Sequence, residues 1–260
     1  MKSELTGQVS LVTGAARGIG QAIADRFATN GSSVIYTDVD EAGACEAASK
    51  FPSCRGMRMD VTNDADIASV LQRVQNEFGR LDILVNNAGV NTIANRVTID
   101  EFPRSEWDRI VAVDLTGVYQ VSQQVARLMR PRKSGRIINI ASIAGLVPLR
   151  LQCAFIAAKA GVVHLTKAMA LELGPLGILV NGIAPGSTLT EGTKQLFYGE
   201  DGTFRAQVQR MLDHVPLGRP ATCDEIAVAA LFLADSENNY MNGHVLTVDG
   251  GWTAGYARDF

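Results

Sequence analysis

Short runs of β-branched and other apolar residues alternate along this chain with longer stretches whose apolar positions recur at helical spacing. The runs Val9 to Thr13, Ser33 to Thr37, Arg55 to Met59, Ile83 to Val85, Arg136 to Ile140, Leu179 to Ile183 and His244 to Val248 read as strands. Their nearly unbroken apolar character is that of strands covered on both faces, as in a parallel sheet. Helices are predicted between them at about 19–29, 41–50, 64–78, 105–130, 152–173 and 223–234. Two helix starts carry a hydroxyl followed three residues later by an acid, Ser105 with Asp108 and Thr222 with Glu225, the spacing of a capping box. Regular strand–helix alternation predicts the α/β class: a doubly wound parallel sheet of about seven strands with helices on both faces. No repeat or linker divides the chain, which predicts one domain over 1–260. The irregular polar stretch 186–214 breaks the rhythm and predicts a substrate loop inserted after the sixth strand.

Composition narrows the function classes. A chain of 260 residues with 47% apolar and 20% charged residues can bury one large core. The formal net charge is −3 without a basic run, so no nucleic acid or anionic membrane is expected as a partner. No apolar run approaches the roughly 18–20 residues of a membrane span, and the start lacks the apolar core of a signal peptide, so a cytoplasmic protein is expected. Cys45, Cys54, Cys153 and Cys223 form no C-x-x-C pair, and His164, His214 and His244 have no ligand spacing, so neither disulfides nor a metal are expected.

The first strand runs into Thr13-Gly14-Ala15-Ala16-Arg17-Gly18-Ile19-Gly20 and then a helical pattern. Glycines in that position turn the chain and let backbone amides approach a pyrophosphate at the helix start. The second strand ends at Asp38, close to the spacing of a carboxylate that binds the adenosine ribose hydroxyls. Together these predict a Rossmann-type dinucleotide site. Asp38 would repel a 2′-phosphate and favours NAD; Arg17 could pair with that phosphate, which leaves NADP as the alternative.

The glycine spacing is followed in order by Asp60-Val61, Asn86-Asn87-Ala88-Gly89, Ser142, Phe155 with Lys159, and Pro185-Gly186. This order resembles the short-chain dehydrogenase/reductase family over nearly the whole chain. The resemblance implies that Asp60 and Val61 lie along the adenine. It places Asn87, Ala88 and Gly89 at the adenosine ribose and pyrophosphate, and Pro185, Gly186 and Thr188 at the nicotinamide end. It also implies a proton-transferring tyrosine, aided by a serine, by a lysine four residues on and by an asparagine in the preceding long helix. Here the serine is Ser142, the lysine Lys159 and the asparagine position Asp114, while the tyrosine position holds Phe155.

Phenylalanine has the ring without the hydroxyl, and loss of an acid/base group costs ~10²–10⁴ in rate. The chain therefore reads as a disabled oxidoreductase, or alternatively as a nucleotide-binding module without turnover. Candidate substrate residues are Asn91, Ile93, Ser142, Ala144, Leu146, Arg150, Gln152, Cys153, Ser187, Thr190 and Glu191. Many of these hydrogen-bond, which favours a sugar or polyol, with a 3-oxoacyl thioester as runner-up. In the resembled family the two long helices pack against neighbouring subunits, so a homotetramer is expected, with Ile110, Val113, Val121, Val125, Leu165 and Met169 on those helices.

Overall fold

The computed structural model describes residues 4–92, 95–190, 193–194, 197–199 and 203–255. Ile93 and Glu191 lie outside the described residues. Seven parallel strands form the central sheet: β1 Val9–Thr13, β2 Ser33–Asp38, β3 Arg55–Arg58, β4 Ile83–Asn86, β5 Gly135–Ile140, β6 Ile178–Pro185 and β9 Val245–Val248. Their order is β3-β2-β1-β4-β5-β6-β9. A pair of two-residue strands, β7 Thr188–Leu189 and β8 Ala221–Thr222, forms a separate parallel ribbon.

The helices are α1 Gly18–Thr29, α2 Glu41–Ala48, α3 Asp64–Phe78, α4 Arg104–Val111, α5 Gly117–Met129, α6 Cys153–Leu173, α7 Ala206–Leu212 and α8 Cys223–Ala234. Alternate strand residues feed opposite layers, as a two-residue side-chain period requires. Val12, Val34, Tyr36, Ile83 and Ile138 join α1, α2 and α8 in one core layer. Leu11, Ile35, Leu84, Ile137 and Val180 join α3, α5 and α6 in the other. The result is a Rossmann fold with helices on both faces of a parallel sheet.

Three expectations from the sequence are corrected. Ser105 does not open a capping box: α4 begins at Arg104, capped by Pro103 without a side-chain bond, and the Asp108 carboxylate is taken by Arg104 Nε at 2.8 Å. Thr222 and Glu225 do form their box. The single helix expected at 105–130 is interrupted by a π turn at Ala112–Thr116, which carries Asp114. Ile110, Val121, Val125 and Met169 are buried within this chain's own core, so they do not offer an outer apolar face.

One segment, Cys153–Leu176, is long and apolar enough to cross a membrane by length and composition, contrary to the reading of the sequence. Its apolar excess has a different use here. Val162, Val163 and Met169 pack into the sheet layers, which is where a central helix of a doubly wound fold buries its inner face.

Candidate active site

Strand order reverses between β1 and β4, and the crevice at the carboxyl ends of such a pair is where open α/β sheets bind ligands. There the ends of these two strands are bound tightly together. Thr13 Oγ1 accepts the Asn87 and Ala88 amides at 3.0 and 2.9 Å, and Asn87 Nδ2 donates to the Thr13 and Gly14 carbonyls, each at 3.0 Å. A Cβ on Gly20 would lie 2.1 Å from the Gly14 oxygen, so glycine alone lets α1 approach β1 this closely. Gly14 and Gly18 both hold φ of +64°, in the left-handed region that favours glycine.

Arg17 is the exposed N-cap of α1 and makes no side-chain cap, so nothing from that residue occupies the first amides of the helix. Ile19 turns back onto the core. This uncapped helix start beside a glycine turn fits a pyrophosphate. Asp38 is fixed at the end of β2, accepting the Ala16 amide on Oδ2 and the Asp40 amide on Oδ1, each at 3.1 Å. Its carboxylate is thereby aimed beside the glycine turn.

Asp60 and Val61 are differently disposed. Hydrogen bonds from the Thr62 hydroxyl and amide hold the Asp60 carboxyl below the usual carboxylate range. Val61 turns its side chain inward, where a Cβ on Gly117 would meet it at 2.7 Å. Pro185 ends β6; the Gly186 amide donates to Val248, and a Cβ at Gly186 would lie 2.7 Å from Asp249 Cα. Thr188 Oγ1 donates to the Gly186 carbonyl at 3.1 Å, shaping the turn beyond the sheet edge.

The reaction centre brings Lys159 and Asp114 together beside Gly89, with the Phe155 ring next to the lysine. Lys159 Nζ, on α6, lies 3.1 Å from Asp114 Oδ2, donates to the Ile140 carbonyl at 3.2 Å, and sits 5.7 Å from the Phe155 ring centre. Both ionic side chains are buried, Asp114 completely. Asp114 Oδ1 accepts the Val90 amide at 2.7 Å; Oδ2 has no aligned hydrogen bond among the described residues and is compensated by the ammonium's charge. A Cβ on Gly89 would meet Asp114 Oδ2 at 3.0 Å and Lys159 Nζ at 3.4 Å.

Ser142 ends the extended backbone after β5, and its Oγ accepts the Ala144 amide at 3.1 Å. With that lone pair engaged, the hydroxyl hydrogen is free to donate outward. The turn it caps is pressed onto α6: a Cβ on Gly145 would lie 2.6 Å from the Lys159 carbonyl. Sequence reasoning missed Gly145, although a glycine three residues after Ser142 was a readable signal. Phe155 lies among Val90, Phe102, Trp107, Ile110 and Leu115.

Of the predicted substrate residues, Arg150 and Cys153 line a groove of about 440 Å³ with Val97, Thr98, Ile99, Leu149, Leu151 and Ile156. Cys153 also lines a neighbouring groove of about 360 Å³ with Ile99, Phe102, Arg104 and Trp107. Asn91, Leu146, Gln152 and Ser187 line neither. Asn91 instead accepts the Thr92 amide, Gln152 is buried at the start of α6, and the Ser187 carbonyl accepts the Ala221 amide. Thr190 faces the glycine turn, 3.6 Å from where a Gly18 Cβ would stand. The sequence did not foretell that residues from the 97–107 segment line both grooves.

Comparison with known proteins agrees with this arrangement. The 3-oxoacyl-[acyl-carrier-protein] reductase of Vibrio cholerae is 41% identical over 248 residues, 95% of this chain and 98% of its own length. A short-chain type dehydrogenase/reductase from Mycobacterium marinum superimposes with a TM-score of 0.87 at 32% identity, over 97% of this chain and 98% of its own. A putative gluconate dehydrogenase from Agrobacterium tumefaciens gives 0.88 at 30% identity, over 96% and 97%. Residues 14–253 match the family model described as enoyl-(acyl carrier protein) reductase, and with the glycine turn, the Asn87 bridge and the Lys159–Asp114 pair in place, the chain belongs to the short-chain dehydrogenase/reductase family of NAD(P)-binding oxidoreductases.

Proposed function

We propose that this chain is built as an NAD-dependent oxidoreductase interconverting a carbonyl and a secondary alcohol on a 3-oxoacyl thioester, and that Phe155 leaves it strongly impaired as it stands. The observation that carries the substrate class is the apolar stretch after Ser142: Leu146, Val147, Leu149 and Leu151 are all exposed, and of these Leu149 and Leu151 line a groove with Val97 and Ile99. An acyl chain suits such a surface, because burying exposed apolar area is favourable by ~25 cal/mol/Å². This reverses the leaning towards a sugar or polyol, which rested on the hydrogen-bonding residues Asn91, Gln152 and Ser187. Two of those side chains are engaged or buried, and Ser187 lines neither groove. The acyl-carrier names of the relatives point the same way.

A bound dinucleotide would supply the hydride acceptor or donor for this chemistry. Gly14, Gly18 and Gly20 with the α1 amides would hold its pyrophosphate, Asp38 its adenosine ribose, and Lys159 its nicotinamide ribose. Asp38 excludes a 2′-phosphate by repulsion, whereas exposed Arg17 is compatible with either cofactor. Ser142 Oγ donates to the substrate oxygen. The proton that this oxygen must gain or lose has no carrier at Phe155, which is the origin of the impairment. We also read the chain as a homotetramer, with exposed Tyr119, Leu171, Val228 and Phe232 as apolar positions for subunit contact.

The test is Phe155→Tyr, assayed with NADH and an acetoacetyl thioester. Reduction should rise by at least ~10², the low end for an acid/base group, and vanish again with Lys159→Met. Turnover of sugars but not thioesters would reinstate the polyol reading. Binding of NAD without turnover of either class would identify a binding module.

A further inference from the structure

A carboxylate at position 114 does nothing for the backbone that an amide would not do. Its Oδ1 takes the Val90 amide at 2.7 Å, a task an asparagine oxygen performs equally well. What the carboxylate adds is charge, placed 3.1 Å from the Lys159 ammonium in a fully buried position. Arg109, the other cation that feels Asp114, is tied to Glu106 by hydrogen bonds of 2.8 and 2.9 Å, so its charge is already matched. The remaining neighbours of Lys159, the Ile140 carbonyl and the Phe155 ring, carry no formal charge. Among the described residues the centre holds one ammonium and one carboxylate, with a phenyl ring in place of a phenol that could ionise.

We infer that Asp114 sets the oxidation-state preference of the bound nicotinamide cofactor, tilting it towards the oxidised form. This rests on the reading that Lys159 stands at the nicotinamide end of the site. An oxidised nicotinamide ring carries a positive charge and a reduced one carries none, so the charge of the surroundings decides which form binds better. An unpaired ammonium would repel the oxidised ring. Paired at 3.1 Å, the ammonium becomes one end of a short dipole, whose field falls off faster with distance than that of a lone charge. Removing the negative end penalises the oxidised form and leaves the neutral ring nearly unaffected. For a partly screened unit charge at close range the effect is on the order of tenfold in the ratio of affinities.

Calorimetric titration with NAD⁺ and NADH separately tests this in the chain as it stands, since no turnover is needed. Asp114→Asn keeps the shape and the Val90 contact, and it should raise the NADH-over-NAD⁺ affinity ratio by about tenfold. Lys159→Met should weaken both forms through the lost ribose contact yet move the ratio the other way, and the double variant should return it close to the starting value. A structural role for Asp114 would lower both affinities together, and an unmoved ratio overturns the inference. If Asp114→Asn does not fold, the Lys159→Met arm decides: no shift towards the oxidised form refutes it. Failure of either form to bind the unaltered chain overturns the cofactor reading and this inference with it, whereas binding with an unmoved ratio overturns the inference alone.

Discussion

Gly145 offers a sharp test of how the site is held together. It does not stand at a positive φ, so replacing it with alanine introduces no backbone strain and the effect is steric alone. The added Cβ would lie 2.6 Å from both the carbonyl carbon and oxygen of Lys159 and 2.9 Å from the Ala160 nitrogen. Ordinary carbon contacts begin near 3.5 Å, so the shortfall is roughly 0.9 Å. The atoms in the way are backbone of α6, which cannot rotate aside as a side chain could. Relief must come from the turn moving off the helix, carrying Ser142 away from Lys159. Overpacking of this kind costs ~1–3 kcal/mol, which for a chain of this size is a fall of roughly 2–12 °C in Tm. Differential scanning calorimetry reads the shift directly. Gly79→Ala is the control, with φ of +69° and open space around its Cβ, so that it pays only ~1–2 kcal/mol of left-handed strain. In the Phe155→Tyr background, Gly145→Ala should also depress kcat, because the serine is displaced. A Gly145→Ala chain melting within about 1 °C of its parent would show that the turn has slack and that the close approach does not position Ser142.

Two further outcomes are expected. Asp38→Asn should narrow the preference for NAD over NADP, since the charge that repels a 2′-phosphate is gone while Arg17 remains; competitive binding showing an unchanged or widened gap would move the determinant elsewhere. Glu225 accepts from the Arg219 guanidinium at 2.7 and 2.9 Å and from the Thr222 amide at 2.8 Å, which hold its carboxyl down to about 2. Because the folded value lies below the ordinary 4.5, this stabilisation is complete above 4.5 and is lost as the pH falls towards about 2. Melting curves from about pH 5 to about pH 3 should therefore fall more steeply for the parent than for Glu225→Gln, and equal slopes would mean that the Arg219 and Thr222 contacts to this carboxylate contribute nothing measurable.

Much of this architecture was legible because strand burial on both faces writes itself into composition. β1 was read to the residue, and the other six strands of the main sheet to within two at either end. What escaped was whatever depends on partners rather than pattern. The hydroxyl–acid spacing at Ser105 looks the same whether Asp108 returns to the helix start or is taken by Arg104, and here Arg104 has it. Apolar positions such as Val121 and Val125 mark a greasy face without saying whether its cover is the chain's own sheet or another subunit. Strands of two residues, β7 and β8, are too short to show a period. Within the candidate site, the order of motifs named Phe155, Lys159 and Asp114, which lie together, and Ser142, which opens the turn pressed onto the same helix. It could not foresee that Val61 turns inward onto Gly117, or that residues 97–107 wall the groove.

The π turn at Ala112–Thr116 has a consequence for how this part of the chain tolerates change. One extra residue in a turn rotates everything beyond it by about 100°, so α4 and α5 do not share a face although the backbone runs on between them in helical conformation. Ile110 on α4 belongs with Phe102, Trp107 and Phe155 beside the groove, whereas Val121, Val125 and Met129 on α5 belong to the layer beneath the sheet. Selection for a new substrate can therefore rework the first half of this long helix while the second half goes on supporting the sheet. Asp114, in the turn between them, marks where the two obligations part.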